Sequence, residues 1–386
     1  MQAFNSNRLQ DSALVIDTHA DTPQRFADEG WDFTAPLGQG MLNLETARQG
    51  NLAAEFLAIW PEPTAWNGRF AHRTLTLIDA VHQQVRRHPS ELALCTSPAE
   101  ILAARDGGKF AMLMGIEGGH AIENSLALLR AYFMLGVRYM TLTWANSNDW
   151  AESSGDLHPN PADSTSSRPC GLTGFGREVV VEMNRLGIMV DVSHASDRTL
   201  ADVLEVTRAP VLASHSCARA LCNSPRNLTD DQLRAIAANN GAIMVNFYSA
   251  FVDENYRQAH QAQRPERSAA HAILEEDYAG RREPVPFHAS NAIDTEYAAR
   301  IPRPPFESLI AQFEHIVRIA GIDHVGIGSD FDGISALPEG IDSAADLPKI
   351  TAALAARGLS EADLRKLLGG NLMRVFEEVE SLATRG

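Results

Sequence analysis

The sequence predicts a (β/α)8 barrel, in which parallel strands close into a ring and helices surround it. Three observations predict this fold. Short apolar runs of strand length recur along the chain, segments with helical spacing of apolar residues separate them, and no second β-rich block follows. The 386 residues, 45% of them hydrophobic, are enough for one barrel domain spanning residues 1–386 with insertions.

The candidate strands are predominantly apolar, as expected for strands buried on both faces of a parallel sheet. They are Leu14–His19, Ala53–Trp60, Phe110–Glu117, Val137–Thr143, Ile188–His194, Val211–His215, Ala242–Phe247 and His324–Asp330. Helical spacing is clearest in Gly174–Leu186, Asp230–Ala238 and Phe306–Ile319. Ser360 precedes an amphipathic stretch that ends at Ser381, and this pattern predicts a final helix that docks on the barrel.

Two segments interrupt the alternation of strands and helices. Trp150–Gly171 is polar and rich in Ser, Pro and Asp, which predicts a long loop after the fourth strand. Residues 250–305, between the seventh and eighth strands, are far too many for a usual βα loop. We interpret them as a partly helical insertion over the barrel mouth, serving as a lid or as an oligomer contact, for instance in a homodimer. A disordered insert is the alternative.

Composition and charge exclude several classes of partner. The formal net charge is −16 and the chain has no long Lys/Arg block, so we expect no nucleic acid or anionic membrane as a partner. No stretch approaches the roughly 18 apolar residues of a membrane span. The first residues lack the features of a secretory signal. The cysteines show no C-x-x-C spacing, which favours reduced thiols and a cytoplasmic location; they are Cys95, Cys170, Cys217 and Cys222.

A histidine and an aspartate close the first predicted strand. His19 and Asp21 are two positions apart, so they point to the same side and can together hold a divalent metal such as zinc. Taken alone, such a pair is more often a satisfied histidine beside a turn aspartate. Other strand ends carry further acids and imidazoles, and in this fold strand ends meet at the active-site rim. The full set is His19, Asp21, Glu117, His194, His215 and Asp330.

This inventory indicates two metals. Glu117 can bridge two cations, with His19 and Asp21 completing one site and His194 and His215 the other. Two divalent ions roughly 3.5–4 Å apart can share a hydroxide that attacks a substrate carbonyl. Nitrogen and carboxylate ligands suit two zinc ions, with manganese, cobalt or iron as alternatives. Asp330 is placed to pass a proton from the bridging water to a leaving amine.

The order of these motifs resembles the membrane dipeptidase (renal dipeptidase) family of zinc metallopeptidases. The resemblance runs from about Leu14 to Phe376. It is carried by Ile16–Asp21, Gly115–Gly118, Met189–His194, Ala213–Ser216, Ser224–Asn227, Gly328–Gly333 and Gly370–Phe376. Animal members carry a secretory signal, disulfides and a lipid-anchor tail, which are not apparent in this sequence. The chain therefore resembles a bacterial-type member.

The resemblance implies roles that agree with the inventory of acids and imidazoles. It matches His19 and Asp21 to the first zinc, and Asp330 to the catalytic acid/base. The remaining matches are Glu117 to the bridging carboxylate and His194 and His215 to the second zinc. It also matches Arg226 to the arginine that holds the substrate's C-terminal carboxylate, and Tyr248 to a tyrosine that lines the pocket.

The chain departs from the family pattern at Trp144. The best-known members carry a histidine here, after the segment Thr141–Thr143, and it helps to stabilise the tetrahedral intermediate. Indole has one N–H donor and cannot be protonated, so Trp144 either donates to an oxyanion or walls the substrate pocket. Three other residues are candidates to supply the polar group in place of that histidine: Asn146, Asn148 and His120.

The predicted function is a binuclear zinc dipeptidase that hydrolyses L-Xaa-L-Yaa or L-Xaa-D-Yaa dipeptides by attack of a metal-bridged hydroxide. One alternative keeps the metals and changes the substrate, as in a deacylase, lactonase or deaminase of the amidohydrolase kind. Arg226 discriminates against it, because a substrate without a free carboxylate has no need of that arginine. The other alternative is a non-catalytic scaffold on a retired enzyme fold, which a low metal content would indicate.

Overall fold

The computed structural model describes residues 6–158 and 169–384, and a closed barrel of parallel strands lies at its centre. Eight of the nine strands in these ranges follow one another around the ring in the order β1, β2, β4, β5, β6, β7, β8 and β9, and β9 pairs with β1. The predicted barrel is therefore confirmed. The strands are β1 (Val15–Ala20), β2 (Leu52–Ile59), β3 (Leu92–Leu94), β4 (Phe110–Glu117), β5 (Val137–Thr141), β6 (Met189–Asp191), β7 (Leu212–Ser216), β8 (Ala242–Val245) and β9 (Val325–Ile327).

The short strand β3 was not predicted from the sequence. It pairs with the beginning of β4, from Leu92 opposite Phe110 to Leu94 opposite Met112. The pairing of β5 with β4 begins only at Met114, so β3 extends the sheet before β5 joins it. Three residues are too few to show an apolar pattern that distinguishes a strand from a turn.

Two predicted strands extend three residues too far at their carboxyl ends. The predicted strands that end at His194 and Asp330 stop in the structure at Asp191 and Ile327. His194 and Asp330 have φ angles of +64° and +67°, in the left-handed region that non-glycine residues rarely adopt. Such a residue cannot continue an extended strand, so both lie in the loops that follow. Backbone strain of this kind clusters at functional sites.

Helices surround the barrel, and the clearest sequence predictions coincide with them. Gly174–Leu186 and Asp230–Ala238 form helices with the predicted bounds, and the third predicted helix runs to Ala320. The helices are α1 (Ser6–Ser12), α2 (Pro23–Asp28), α3 (Leu44–Gln49), α4 (Phe70–Arg87), α5 (Pro98–Asp106), α6 (Leu126–Met134), α7 (Gly174–Leu186), α8 (Asp197–Val206), α9 (Asp230–Ala238), α10 (Ser249–Val252), α11 (Glu254–Ala262), α12 (Arg264–Arg281), α13 (Phe287–Ala298), α14 (Phe306–Ala320), α15 (Leu347–Ala356), α16 (Glu361–Arg365) and α17 (Asn371–Leu382). None of the described helices is both long enough and apolar enough to cross a membrane.

The C-terminal tail consists of two helices, whereas the sequence predicted one. The Ser360 side chain accepts a hydrogen bond from the Asp363 backbone and caps α16 as predicted. A π-helical turn, Lys366–Gly370, then separates α16 from α17. A Cβ atom added at Gly369 in this turn would lie 2.4 Å from the carbonyl oxygen of Leu14, so the tail packs directly on the start of β1.

The segment between β8 and α14 contains the four helices α10 to α13. Helix α12 has 18 residues, of which none is fully buried. Its half-buried residues recur at helical spacing, as a face turned towards the protein requires; they are Arg267, Ala270, His271, Leu274 and Tyr278. The predicted loop after the fourth strand is described only in part, because residues 159–168 lie outside the described ranges.

Candidate active site

Glu117 lies at the centre of a cluster at the carboxyl end of the barrel. Its Oε2 atom is 3.5 Å from His19 Nε2. Its Oε1 atom is 2.9 Å from His194 Nε2 and 3.5 Å from His215 Nε2. The two carboxylate oxygens therefore face two different sets of imidazoles. Glu117 is the last residue of β4, so the strand itself directs the carboxylate to the barrel mouth.

Asp21 and Asp330 lie on the His19 side of the cluster. Asp21 Oδ2 is 3.6 Å from His19 Nε2. Ligand atoms of His19, Asp21 and Asp330 all lie within 4.8 Å of one another. Backbone hydrogen bonds between the loops after β1 and β9 cause this proximity: Asp330 N–H donates to the His19 carbonyl at 3.0 Å, and Asp21 N–H donates to the Phe331 carbonyl at 2.8 Å.

Hydrogen bonds at Nδ1 hold the rings of two histidines in a fixed orientation. His19 Nδ1 is 2.8 Å from the Tyr139 hydroxyl, and this hydroxyl donates to a backbone carbonyl, so it accepts the Nδ1 proton. His215 Nδ1 is 2.7 Å from Ser214 Oγ, which itself donates to Asp191 Oδ2 at 2.6 Å. In both rings the Nε2 atom is left facing the cluster. Metal-binding histidines are commonly held in this way by their other nitrogen.

The charges of the cluster favour a cation beside Glu117. Burial opposes a charge on Glu117, but His19 and hydrogen bonds from the imidazoles outweigh it and hold the pKa of this carboxyl well below its ordinary value. Burial also opposes protonation of His19, yet Tyr139 and Glu117 hold the pKa of this imidazole well above its ordinary value. Burial lowers the pKa of His194 to about 4 and that of His215 well below its ordinary value. Two neutral imidazoles are thus available as ligands.

Asp330 is a buried carboxylate with one fixed oxygen. Asn246 Nδ2 donates a hydrogen bond to Asp330 Oδ2 at 2.8 Å. Burial raises the pKa of the Asp330 carboxyl to about 7, and the carboxylates of Asp21 and Glu117 contribute to the shift. A group with a pKa near the working pH can both accept and release a proton during a reaction.

Gly333 allows the loop after β9 to approach the cluster closely. A Cβ atom at this position would lie 2.0 Å from Asp21 Oδ2 and 2.7 Å from Asp330 Oδ1. Since neither distance is physically possible, any larger residue must displace one carboxylate.

Gly333→Ala should therefore lower both metal content and kcat/KM, because a displacement of about 1 Å in an active site can cost about 100-fold in rate. Metal content by elemental analysis and steady-state kinetics test this. Gly174→Ala is the control, since a Cβ at the start of α7 meets no atom within 4 Å. Equal activity of the two variants would show that the close approach has no catalytic importance.

Arg226 lies beside β7, the strand that carries His215, and is only 8% exposed. Its Nη2 atom donates to the His215 carbonyl at 2.7 Å, and its Nη1 atom donates to Ser216 Oγ at 2.9 Å. Its buried Nε atom has no hydrogen-bond partner within the described residues. The guanidinium is thus fixed in orientation next to the cluster and retains an unsatisfied donor.

A cavity of about 800 Å³ opens above the cluster, and Trp144 and Tyr248 both line it. The Trp144 ring lies 4.7 Å from the Trp60 ring and 6.3 Å from the His194 ring. The Tyr248 hydroxyl lies 3.1 Å from His260 Nε2 of the inserted segment. Trp144 therefore forms part of the cavity wall and lies next to His194 of the cluster.

None of the three residues considered as a polar substitute for the family histidine lines this cavity. Asn148 is used within its own loop, where it donates to the Leu142 carbonyl at 2.8 Å and accepts from two backbone N–H groups. His120 Nε2 lies 2.8 Å from the Pro61 carbonyl. Asn146 makes a long hydrogen bond of 3.3 Å to a neighbouring carbonyl.

Sequence reasoning missed the residues that hold the ligands in place. Tyr139, Ser214 and Asp191 orient two of the histidines, and Asn246 orients Asp330. A signal existed for Asp191, which is an acid inside the apolar run from Ile188 to Val192. Tyr139 carries no such signal, because an aromatic residue is ordinary in a strand.

Comparison with known proteins agrees with this geometry. A model of the membrane dipeptidase family, peptidase family M19, matches residues 4–386. The chain belongs to this family. It is 32% identical to human Dipeptidase 3 over 379 residues, which is 97% of this chain and 67% of the relative.

Solved structures of a probable dipeptidase and of a metallopeptidase share the fold. The probable dipeptidase PvdM from Pseudomonas aeruginosa is 27% identical with a TM-score of 0.81, covering 98% of both chains. A metallopeptidase from Rhodobacter sphaeroides, liganded with a phosphinate mimic of the dipeptide L-Ala-D-Ala, is 26% identical with a TM-score of 0.75, covering 95% of this chain and 99% of that one. The predicted family, fold and metallo-dipeptidase class are confirmed.

Proposed function

We propose that this metallo-dipeptidase uses two zinc ions and hydrolyses L-Xaa-L-Yaa or L-Xaa-D-Yaa dipeptides. The position of Glu117 between two sets of candidate metal ligands carries the proposal. One set is His19 with Asp21, and the other is His194 with His215. Imidazole and carboxylate together are typical zinc ligands, although other divalent metals also accept them.

The residues of the cluster fit a cation. His19 Nε2 is buried and has no hydrogen-bond partner among the described residues, although it lies beside two carboxylates. The Nε2 atoms of His194 and His215 are only 3.0 Å apart. A ligated metal satisfies buried nitrogen lone pairs that would otherwise be costly. Two such ions, when bound, lower the pKa of a water molecule to about 7 and polarise the substrate carbonyl.

The chain's own residues then supply proton transfer. Asp330 accepts a proton from the attacking water and delivers it to the amine that leaves. Its raised pKa, about 7, suits both steps near neutral pH. Asn246 keeps one carboxylate oxygen in a fixed orientation, so the other oxygen is free for the proton.

Arg226 selects the substrate. A guanidinium binds a carboxylate in a planar, charge-assisted pair, and we assign to Arg226 the terminal carboxylate of the dipeptide. The phosphinate mimic of L-Ala-D-Ala bound to the Rhodobacter sphaeroides relative supports a substrate of this size and a D-residue at the second position.

A substrate panel tests the proposed function. We expect the zinc-loaded enzyme to hydrolyse L-Ala-L-Ala or L-Ala-D-Ala, and to act poorly on Ala-Ala amide, N-acetyl-alanine and lactones. Arg226→Ala should reduce kcat/KM for the free dipeptide by about tenfold to 100-fold, the cost of a charge-assisted hydrogen bond of about 1.5–3 kcal/mol, and should barely affect the amide. Arg226→Lys keeps the charge and controls for folding. Turnover of lactones or N-acyl amino acids without dipeptide cleavage would favour an amidohydrolase of different specificity.

A further inference from the structure

A row of aromatic rings leads from the ligand cluster to the inserted helices. The Trp144 ring lies 6.3 Å from His194 and 4.7 Å from Trp60. The Trp60 ring in turn lies 5.9 Å from Phe287, edge to face at 81°. We call Trp144, Trp60 and Phe287 the aromatic wall. All three line the cavity above the cluster, so the wall is one continuous surface beside the reacting centre.

Hydrogen bonds hold the backbone of the aromatic wall at Trp60 and Phe287. Trp60 is only 8% exposed, and its carbonyl accepts a hydrogen bond from Gln24 Nε2 at 2.8 Å. The Phe287 backbone N–H donates to Asp28 Oδ2 at 3.1 Å, and Asp28 is paired with the buried Arg73 at 2.6 Å. A preformed apolar surface binds a ligand without the entropy cost of ordering its own side chains.

The order of strands defines which end of a substrate meets the aromatic wall. Trp60 follows β2 and Trp144 follows β5, on either side of the strand that carries Glu117. Arg226 follows β7, beyond β6 around the ring. In the proposed binding mode, with the terminal carboxylate at Arg226, the dipeptide spans the cluster and its first residue lies against the wall.

The size of the cavity indicates that this first residue is large. Pockets of about 300–1,000 Å³ enclose drug-sized ligands. The cavity of about 800 Å³ is near the upper end of that range and far exceeds what two alanine residues fill. Aromatic rings prefer other rings as partners, in edge-to-face or offset stacks, beyond the gain from apolar burial alone.

We propose that the aromatic wall is a subsite for a flat aromatic side chain on the first residue of the dipeptide. The inference rests on the proposed dipeptidase function and names its substrate class as Trp-Xaa, Tyr-Xaa and Phe-Xaa dipeptides. Burial of the ring between wall and substrate backbone lowers the energy of the bound state and of the transition state that follows it.

Two dipeptide series test whether an aromatic side chain is preferred at the first residue and not at the second. In the series Xaa-Ala, with Xaa as Ala, Leu, Phe or Trp, kcat/KM should rise about tenfold to 100-fold from Ala to Trp, and Leu should fall below Phe. In the reversed series Ala-Xaa, the same change should have a much smaller effect. Equal kcat/KM for Trp-Ala and Ala-Ala, or a preference confined to the second residue, would overturn the inference and leave the dipeptidase function intact. Cleavage of no dipeptide in either series would instead refute the proposed function.

Variants in α13 locate the subsite. Phe287 is half-buried, so Phe287→Ala should fold and should reduce the ratio of kcat/KM for Trp-Ala over Ala-Ala by about tenfold. Phe287→Leu keeps apolar volume but removes the ring, and should abolish the advantage of Phe over Leu. Tyr297→Ala is the matched control, because Tyr297 lies on the same helix under Arg300 and away from the cavity. An unchanged ratio in both Phe287 variants, or an equal loss in the Tyr297 variant, would show that the wall does not bind the substrate.

Discussion

Glu117→Ala should abolish dipeptide hydrolysis and strongly reduce the metal content of the protein. In the structure each oxygen of this carboxylate faces a different set of imidazoles, at 3.5 Å from His19 on one side and 2.9 Å from His194 on the other. Alanine removes the one group shared by both proposed metal sites. It also leaves the imidazoles with no central anion to balance two divalent cations in a buried site, where unbalanced charge is costly.

Elemental analysis and steady-state kinetics measure these effects, and thermal unfolding checks the fold. Glu117→Gln keeps the size of the side chain and replaces one oxygen by a donor, so it should also lose metal and activity. Glu182→Ala is the control, because this carboxylate on α7 pairs with Arg130 and Arg185 outside the barrel. Two equivalents of metal and full turnover in Glu117→Ala would disprove the bridging role.

The barrel and the cluster could be predicted because both follow from the regular geometry of strands. His19 lies in β1 and Asp21 directly follows its last residue, so the alternation of a strand was enough to predict that they converge. Glu117 ends the strand whose apolar run identified it. Strand ends of a parallel barrel meet at one rim, so the sequence positions alone indicated the cluster.

The local conformation of the cluster could not be predicted in the same way. His194 and Asp330 were placed at strand ends, but their positive φ angles put them in loops. Such angles are maintained by surrounding contacts and not by the local sequence. For Asp330 those contacts include its backbone hydrogen bond to His19, which lies near the other end of the chain.

Long-range partners explain the other omissions. Tyr139 orients His19 across 120 residues of sequence, and no local pattern contains that contact. Phe287 reaches the cavity only because the inserted helices fold over the barrel and Asp28 holds the start of α13. This insertion was expected to be partly helical, but no local pattern indicated its aromatic contact with Trp60.

Asp330→Asn should retain the fold and the metals and lose most of the rate. Asparagine tolerates the positive φ angle at this position better than most residues do. Its side-chain oxygen can still accept the hydrogen bond that Asn246 donates at 2.8 Å. An amide, however, cannot take up the proton of the attacking water or deliver one to the leaving amine. Since general acid–base catalysis contributes about 10²–10⁴-fold, we expect kcat to fall by that factor.

A variant of the neighbouring Asp332 distinguishes the loss of proton transfer from the general effect of removing a negative charge. Asp332 lies in the same loop, is buried and has a φ of +64°, but its oxygens accept hydrogen bonds from Thr22 Oγ1 and the Met41 backbone N–H. Asp332→Asn removes the same charge a short distance away, and we expect it to retain much more of the wild-type kcat than Asp330→Asn. Metal content should be equal in both variants, so the difference in kcat isolates the proton shuttle. A loss of less than about threefold in Asp330→Asn would be too small for general acid–base catalysis and would assign that step to another group.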